Sequence, residues 1–278
     1  MTGWEDIDIL SEPVVDWLSE AVARVVEGRE LADLVTVVAA PSGGPVEVGA
    51  RLLILPDGST TGGLGDSGLD GAATADGARA LQDRKSQVIR YAVAGAPEAD
   101  GVEVFHEVLE PQPQLVIVGA GHIAVPLARY AKILGFEVVV VDDRDKYASV
   151  ERFPDADRVI AADFGETLRD FPLTPATFVV IITRAHTYDE EALRLTLHRP
   201  TAYIGMIGSR RRVQTVLRTL AAEGYPEERL RTVRAPIGLD IGSDTPEEIA
   251  LAIIAEVVAT RRGGTGRPLS SQIRPIAV

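Results

Sequence analysis

The chain changes its hydrophobic rhythm near its middle. Up to about residue 110, apolar and polar positions alternate in short runs. Arg51–Leu55 and Leu34–Ala40 predict strands, as does Val102–Leu109 with Val102, Val104 and Val108 on one face. Val88–Val93 predicts a further strand. Pro13–Gly28 carries Val14, Leu18, Ala21, Val22 and Val25 on one side and predicts an amphipathic helix. Ala72–Arg84 predicts a second helix, and Thr60–Gly71 between them predicts a glycine-rich loop. Glu110–Gln114, with two prolines that lack backbone donors, suits neither strand nor helix and predicts a boundary.

Beyond it the apolar runs become continuous, the pattern of strands buried on both faces. Leu115–Val118, the run ending at Asp142, Arg158–Ala161, Phe178–Thr183 and Ala202–Ile207 predict strands. Between them fall helical stretches: one ending at Gly135, a short turn at Ala148–Phe153, then Asp189–Leu197 and Arg210–Glu223. The last helix, Pro246–Thr260, has Thr245 as its cap and Glu247 and Glu248 in its first turn. Alternating β and α predicts a doubly wound parallel sheet of the Rossmann type, preceded by a smaller α+β domain. The expected division is 1–110, a linker at 111–114, 115–262, and a tail at 263–278.

The chemistry concentrates where the first parallel strand turns into its helix. Gly119-Ala120-Gly121-His122-Ile123-Ala124 is a G-x-G-x-x-A turn in a strand–turn–helix–strand unit that ends on an acid, Asp142. Gly119 permits the turn, Gly121 lets backbone approach a pyrophosphate, and Ala124 lets helix pack on strand. The helix start offers free N–H groups to an anion. Asp142 is placed to accept from ribose hydroxyls, which predicts an unphosphorylated ribose, NAD rather than NADP. Arg144, two residues on, is the group able to neutralise a phosphate there.

Ligands of open parallel sheets sit beyond the carboxyl ends of the strands. Besides the turn and Asp142-Asp143-Arg144, that edge should gather Thr183, Arg184 and His186, then Ser209, Arg210 and Arg211. Ser209 is the expected cap of a helix that opens on a basic cluster, a second anion site or a solvated face. His186 with Asp189 three residues on reads as an acid/base pair or as a loop histidine held by its neighbour. Of the four histidines, His122 lies in the turn, while His106 and His198 read as structural or exposed. Ala235–Gly242, apolar and glycine-spaced, reads as a segment that lines a site or crosses under the sheet.

Composition narrows the partners. A net charge of −13 argues against nucleic acid. No apolar run reaches the roughly 20 residues of a membrane span. The acidic start MTGWEDIDILSEP lacks a signal pattern, so the expected compartment is the cytoplasm. There is no cysteine, hence no disulfide, thiolate ligand or thiol nucleophile. No compact three-ligand pattern suggests zinc, and no metal site is expected.

These segments resemble the xanthine dehydrogenase accessory factor family, XdhC/CoxI. The matching pieces are VGAGHIAVPLA (118–128), VVDDRDKYASVERFPDAD (140–157), ITRAHTYDEEAL (182–193), YIGMIGSRRR (203–212) and APIGLDIGSDTPEEIALAIIAE (235–256). VEVGARLLILPDGSTTGGLGD (46–66) matches less closely. The resemblance implies an accessory factor for a molybdenum hydroxylase, binding molybdenum cofactor (molybdopterin) or a dinucleotide. It implies an apo-enzyme client, a sulfurase as a further partner, and a homodimer. Many members carry a Gly-Gly-Cys loop; the equivalent here is Gly65-Asp66-Ser67-Gly68-Leu69-Asp70, without a thiolate. On this reading Gly119, Gly121 and His122 hold a phosphate, Asp142 a ribose, and the Thr60–Asp70 loop closes over the ligand. The alternative is an NAD(P)-dependent oxidoreductase acting on a small molecule, with His186 and Asp189 as its catalytic pair.

Overall fold

The structure, a computed structural model, describes residues 17–28, 30–92 and 101–272. The predicted helix start at Pro13, the strand end at Val93 and the last six residues of the tail, 273–278, lie outside the described residues. The chain divides between Pro111 and Gln112 into two compact units.

In the first unit the helix α1 (Trp17–Gly28) precedes β1 (Ala32–Ala39), β2 (Arg51–Ile54) and β3 (Thr60–Gly63), followed by α2 (Ser67–Asp83), β4 (Gln87–Tyr91) and β5 (Val102–Leu109). The strands form one antiparallel sheet in the order β3-β2-β1-β5-β4. Side-chain alternation along β2 divides its two faces: Leu52 and Ile54 pack with Leu69, Ala73 and Leu81 of α2, whereas Leu53 packs with Ala21 and Val25 of α1. The expected glycine-rich loop at 60–71 is not a loop. Its first four residues pair with β2 as β3, and α2 starts at Ser67, capped by Asp66, whose carboxylate accepts the Leu69 N–H at 2.8 Å. The acids of this loop, Asp66 and Asp70, supply the hydrogen bonds that glycine-richness alone conceals: Asp70 also accepts the Leu64 N–H at 2.7 Å.

The second unit runs β6 (Gln114–Val118), α3 (Ala124–Ile133), β7 (Glu137–Asp142), β8 (Arg158–Ala161), α4 (Phe164–Asp170), β9 (Thr177–Ile181), α5 (His186–Leu197), β10 (Tyr203–Met206), α6 (Arg210–Ala222), α7 (Glu227–Thr232) and α8 (Pro246–Arg262). Its parallel sheet has the order β10-β9-β6-β7-β8, the doubly wound arrangement with a reversal beside β6. Every residue of β6, β9 and β10 is buried, as a sheet covered on both faces requires. Leu115, Ile117, Val138 and Val140 face α3 and α8; Val116, Val118, Val139 and Val141 face α4, α5 and α6. Beyond β10, the Arg234 N–H donates to Ile204 and the Met206 N–H to Arg234, each at 2.9 Å, so the chain there continues the sheet by a single bridge.

Three details differ from the sequence pattern. The 148–153 segment makes turns rather than a helix. The short helices α4 and α7 have too few periodic positions to announce themselves. And α5 begins at His186, not Asp189, which takes His186 out of the loop and onto the first turn of a helix.

Candidate functional site

The carboxyl ends of β6, β7, β9 and β10 meet at one edge of the second unit, and the turn after β6 is its centre. Gly119 sits at φ +109°, and a Cβ built there would fall 2.5 Å from the carbonyl oxygen of Ile182 at the end of β9. Any side chain would strike backbone, so this glycine is required by the fold itself. Gly121 is different: a Cβ there meets nothing within 4 Å. The backbone N–H groups of Gly121, His122 and Ile123 have no acceptor among the described residues. They form the anion cradle expected at this helix start.

Asp142, at the tip of β7, is 1% exposed. Its Oδ2 accepts the Ala120 N–H at 2.8 Å and Arg144 Nη2 at 2.9 Å; its Oδ1 accepts the Arg144 N–H at 3.1 Å and Nε at 2.8 Å. Four donors fill the roughly four acceptor positions of a carboxylate. The expected ribose contact therefore finds no vacant lone pair on Asp142, which instead ties β7 to the turn. Arg144 lies over the Tyr147 ring, with its guanidinium carbon 3.7 Å from the centroid. Hydrogen bonding to Asp142 raises its pKa further. Arg152 completes the corner. Its Nη1 donates to the Ala120 carbonyl at 2.7 Å and to the Tyr147 carbonyl at 2.9 Å.

Toward β9, Arg184 grips Asp143 with both terminal nitrogens and donates to the Tyr188 hydroxyl at 3.0 Å. That hydrogen bonding holds the Asp143 carboxyl below its ordinary range. Thr183 donates to Asp189, which is fully buried and also paired with Arg212 from α6. Arg212 is in turn held in the first turn of a helix that Ser209 caps by accepting the Arg212 N–H at 3.3 Å.

The edge thus brings together Gly119, Gly121, His122, Asp142, Arg144, Thr183, Arg184 and Ser209. Arg210 and Arg211 are on its rim, exposed on the first turn of α6. The His186–Asp189 pair does not form. Asp189 turns inward to Thr183 and Arg212, while His186 is exposed and makes no hydrogen bond among the described residues. The i,i+3 spacing puts both on one helix, but burial draws the carboxylate toward the nearest guanidinium. Two contributors escape a sequence reading, Tyr147 and Arg152, and Arg212 falls in the converging 205–212 segment without being chosen over Arg210 and Arg211. Arg152 lies in a stretch whose pattern suggests a helical turn, and Arg212 is one of three consecutive arginines with nothing to single it out. Ala235–Gly242 does pass beside the sheet, its Ile237 N–H donating to Met206 at 3.1 Å and its Gly238 N–H to Glu256 at 2.8 Å. Among the described residues no group of three or more His, Cys, Asp or Glu is arranged to hold a metal. No described helix is long and apolar enough to cross a membrane.

Residues 115–257 match the family model described as the XdhC Rossmann domain, and residues 25–92 match that described as the XdhC and CoxI family. The chain belongs to the XdhC and CoxI family. It is similar to the uncharacterized protein YqeB of Escherichia coli (strain K12), 32% identical over 225 residues, covering 78% of this chain and 41% of that protein. It is also similar to a probable xanthine dehydrogenase subunit from Bacillus subtilis (strain 168), 35% identical over 159 residues, covering 57% of this chain and 46% of that protein. The match thus spans under half the length of each of these relatives. A crystal structure described as a xanthine dehydrogenase from Bacillus halodurans superposes with a TM-score of 0.51 at 22% identity, covering 91% of this chain and 97% of that one. At that identity the likeness concerns the fold.

Proposed function

We propose that this XdhC-family chain is an accessory factor for a molybdenum hydroxylase of the xanthine or CO dehydrogenase type. It holds molybdenum cofactor or a dinucleotide by its phosphate end at the Gly119–His122 turn and delivers it to the apo-enzyme. The observation that carries this reading is the set of unclaimed N–H groups at Gly121, His122 and Ile123, beside a glycine with no steric neighbour. Family membership and the likeness to the Bacillus subtilis xanthine dehydrogenase protein support the client class.

The residues present suit the anionic end of such a cofactor. They offer no thiolate, since the chain has no cysteine, so a thiolate contact from this chain to molybdenum is ruled out. The dehydrogenase alternative needs an oriented acid/base group. Among the described residues His186 has no carboxylate to fix its tautomer, since Asp189 turns to Arg212, and this favours the accessory role. The test uses the purified full chain and the apo-form of a molybdenum hydroxylase. Cofactor-loaded chain that restores hydroxylase activity, with no nicotinamide turnover of its own, bears the proposal out. Nicotinamide-dependent turnover of a small substrate by the chain alone overturns it.

A further inference from the structure

The corner formed by Arg144, Tyr147 and Arg152 is built for more negative charge than a ribose diol brings. Asp142 has no acceptor position left. The group that faces outward in its place is Arg144, whose side chain is 30% exposed. Arg144 spends Nε and Nη2 on Asp142 and leaves Nη1 without an acceptor among the described residues. Arg152 spends only Nη1, on two carbonyl oxygens, and no carboxylate lies within ion-pair distance of it among the described residues. Both guanidinium groups sit against the same aromatic ring, Arg152 with its carbon 5.0 Å from the Tyr147 centroid and Arg144 on the closer approach. A π face lets two like charges share a site that would otherwise separate them. Three arginines, 144, 152 and 184, therefore face two carboxylates, Asp142 and Asp143, and of these three Arg152 is the cation without an ion pair among the described residues.

We infer that this corner is a phosphate subsite: a nucleotide seated on the turn carries a phosphate monoester against Arg144 and Arg152, not a free ribose diol. The inference rests on the reading that a nucleotide-type ligand occupies the Gly119–His122 turn, and it reverses the NAD preference that Asp142 suggests in the sequence. An acid at the end of this strand selects the diol only while its oxygens are free; an arginine there accommodates a 2′-phosphate. A phosphate accepts from the unused Nη1 of Arg144 and from Nε and Nη2 of Arg152 without breaking any bond to Asp142 or to Ala120.

Calorimetric titration of the full chain with NADP and with NAD tests this. NADP is expected to bind about tenfold or more tightly, the scale of a charge-assisted contact, with a preference that shrinks as salt rises. Arg152→Gln is expected to weaken NADP binding far more than NAD binding and so to bring the two affinities close to parity. The double variant Asp142→Asn with Arg144→Gln removes charge in pairs, keeps an acceptor for Ala120, and is expected to do the same. NAD binding as tightly as NADP, or a preference for NADP unchanged in Arg152→Gln, overturns the phosphate corner and leaves the turn assignment standing. Binding of neither nucleotide by the wild-type chain overturns the phosphate corner together with the dinucleotide form of the turn assignment.

Discussion

The carboxylate of Asp142 and the backbone N–H of Ala120 meet at 2.8 Å, twenty-two positions apart in the chain, while Arg152 holds the carbonyl of the same residue at 2.7 Å. The peptide between the two glycines is thereby fixed at both ends by charged groups, one from β7 and one from the turns that follow it. Asp142→Ala would free a buried N–H and leave Arg144 without its partner. The expected loss is about 2–4 kcal/mol, the range for breaking a buried, hydrogen-bonded charge pair. Asp142→Asn, which keeps an oxygen for Ala120, is expected to lose about half of that. Urea unfolding of the three proteins checks the order.

The two glycines of the turn should separate fold from function. Gly119→Ala places a Cβ 2.5 Å from backbone at a φ of +109°, and is expected to destabilise by about 2–4 kcal/mol. Gly121→Val adds a Cβ that meets nothing within 4 Å, and the variant should leave the melting temperature within about 2 °C of wild type. If a phosphate approaches the unclaimed N–H groups, the same valine collides with it, and nucleotide affinity should fall below detection. Thermal unfolding and calorimetry run on both variants give the four readings; unchanged binding in Gly121→Val would remove the turn as the ligand site.

Much of this is legible in the sequence because it depends on local grammar. The turn sequence, the acid at the end of the next strand and the cap at Thr245 are set by residues within a few positions of each other, and the last is realised as a full capping box. What the sequence does not carry is which charged groups choose each other. Asp189 has His186 one turn away and Arg212 twenty-three residues on, and only the packing of α6 beside β9 and β10 decides for the arginine. Likewise Asp142 looks like a free ribose acceptor until Arg144 is seen folded back on it. In the first unit, Thr60–Gly71 is rich in glycine and so reads as a loop, yet its register opposite β2 makes the beginning a strand.

The choice of Asp189 for Arg212 carries its own expectation. Asp189 is fully buried, so Asp189→Ala abandons Arg212 and the Thr183 hydroxyl together and should cost about 3 kcal/mol or more. His186→Ala removes an exposed ring with no hydrogen-bond partner among the described residues and should change stability by under about 0.5 kcal/mol. If the two variants proved equally damaging in chemical denaturation, the inward orientation of Asp189 would be wrong.

Acid sensitivity has a defined source at the same edge. The Asp143 carboxyl is held below its ordinary value of 3.8, first by hydrogen bonding to Arg184. A lowered folded-state pKa means that the unfolded chain takes up protons first. The contribution is complete above 3.8 and is lost as pH falls through the lower folded-state value. Glu223, paired with Arg194 on the surface, acts in the same direction. Stability should therefore hold between pH 7 and 5 and decline below about 4. Arg184→Gln should flatten the Asp143 part of that decline. The exposed setting makes the effect small and salt-dependent. Denaturation midpoints across pH in low and high salt measure it, and an Arg184→Gln profile parallel to wild type would contradict it.

The first unit offers a test of a different kind, since its core holds a polar chain. Asp33 Oδ2 lies 2.6 Å from Nδ1 of His106, the Nε2 of His106 lies 2.9 Å from the Tyr91 hydroxyl, and that hydroxyl donates to Asp76 of α2 at 2.9 Å. Asp33 and His106 are both fully buried, on the sheet face that α2 covers, and Asp33 Oδ1 has no hydrogen-bond partner among the described residues. Burial, followed by hydrogen bonding to Asp76, drives the Tyr91 pKa upward, so the phenol stays protonated throughout the physiological range. Such a chain favours one register of β1, β4, β5 and α2, while desolvation offsets much of its electrostatic gain. Removing Asp33 and His106 together is then less costly than the two single losses added. Asp33→Ala and His106→Leu are each expected to cost about 2–4 kcal/mol, because each leaves a buried polar group unpaired. The double variant should cost less than their sum by at least about 1 kcal/mol, the coupling expected of residues in one network. A double-mutant cycle by urea unfolding measures that difference. Strict additivity would show that Asp33 and His106 do not act on each other, and that α2 is held by its apolar contacts alone.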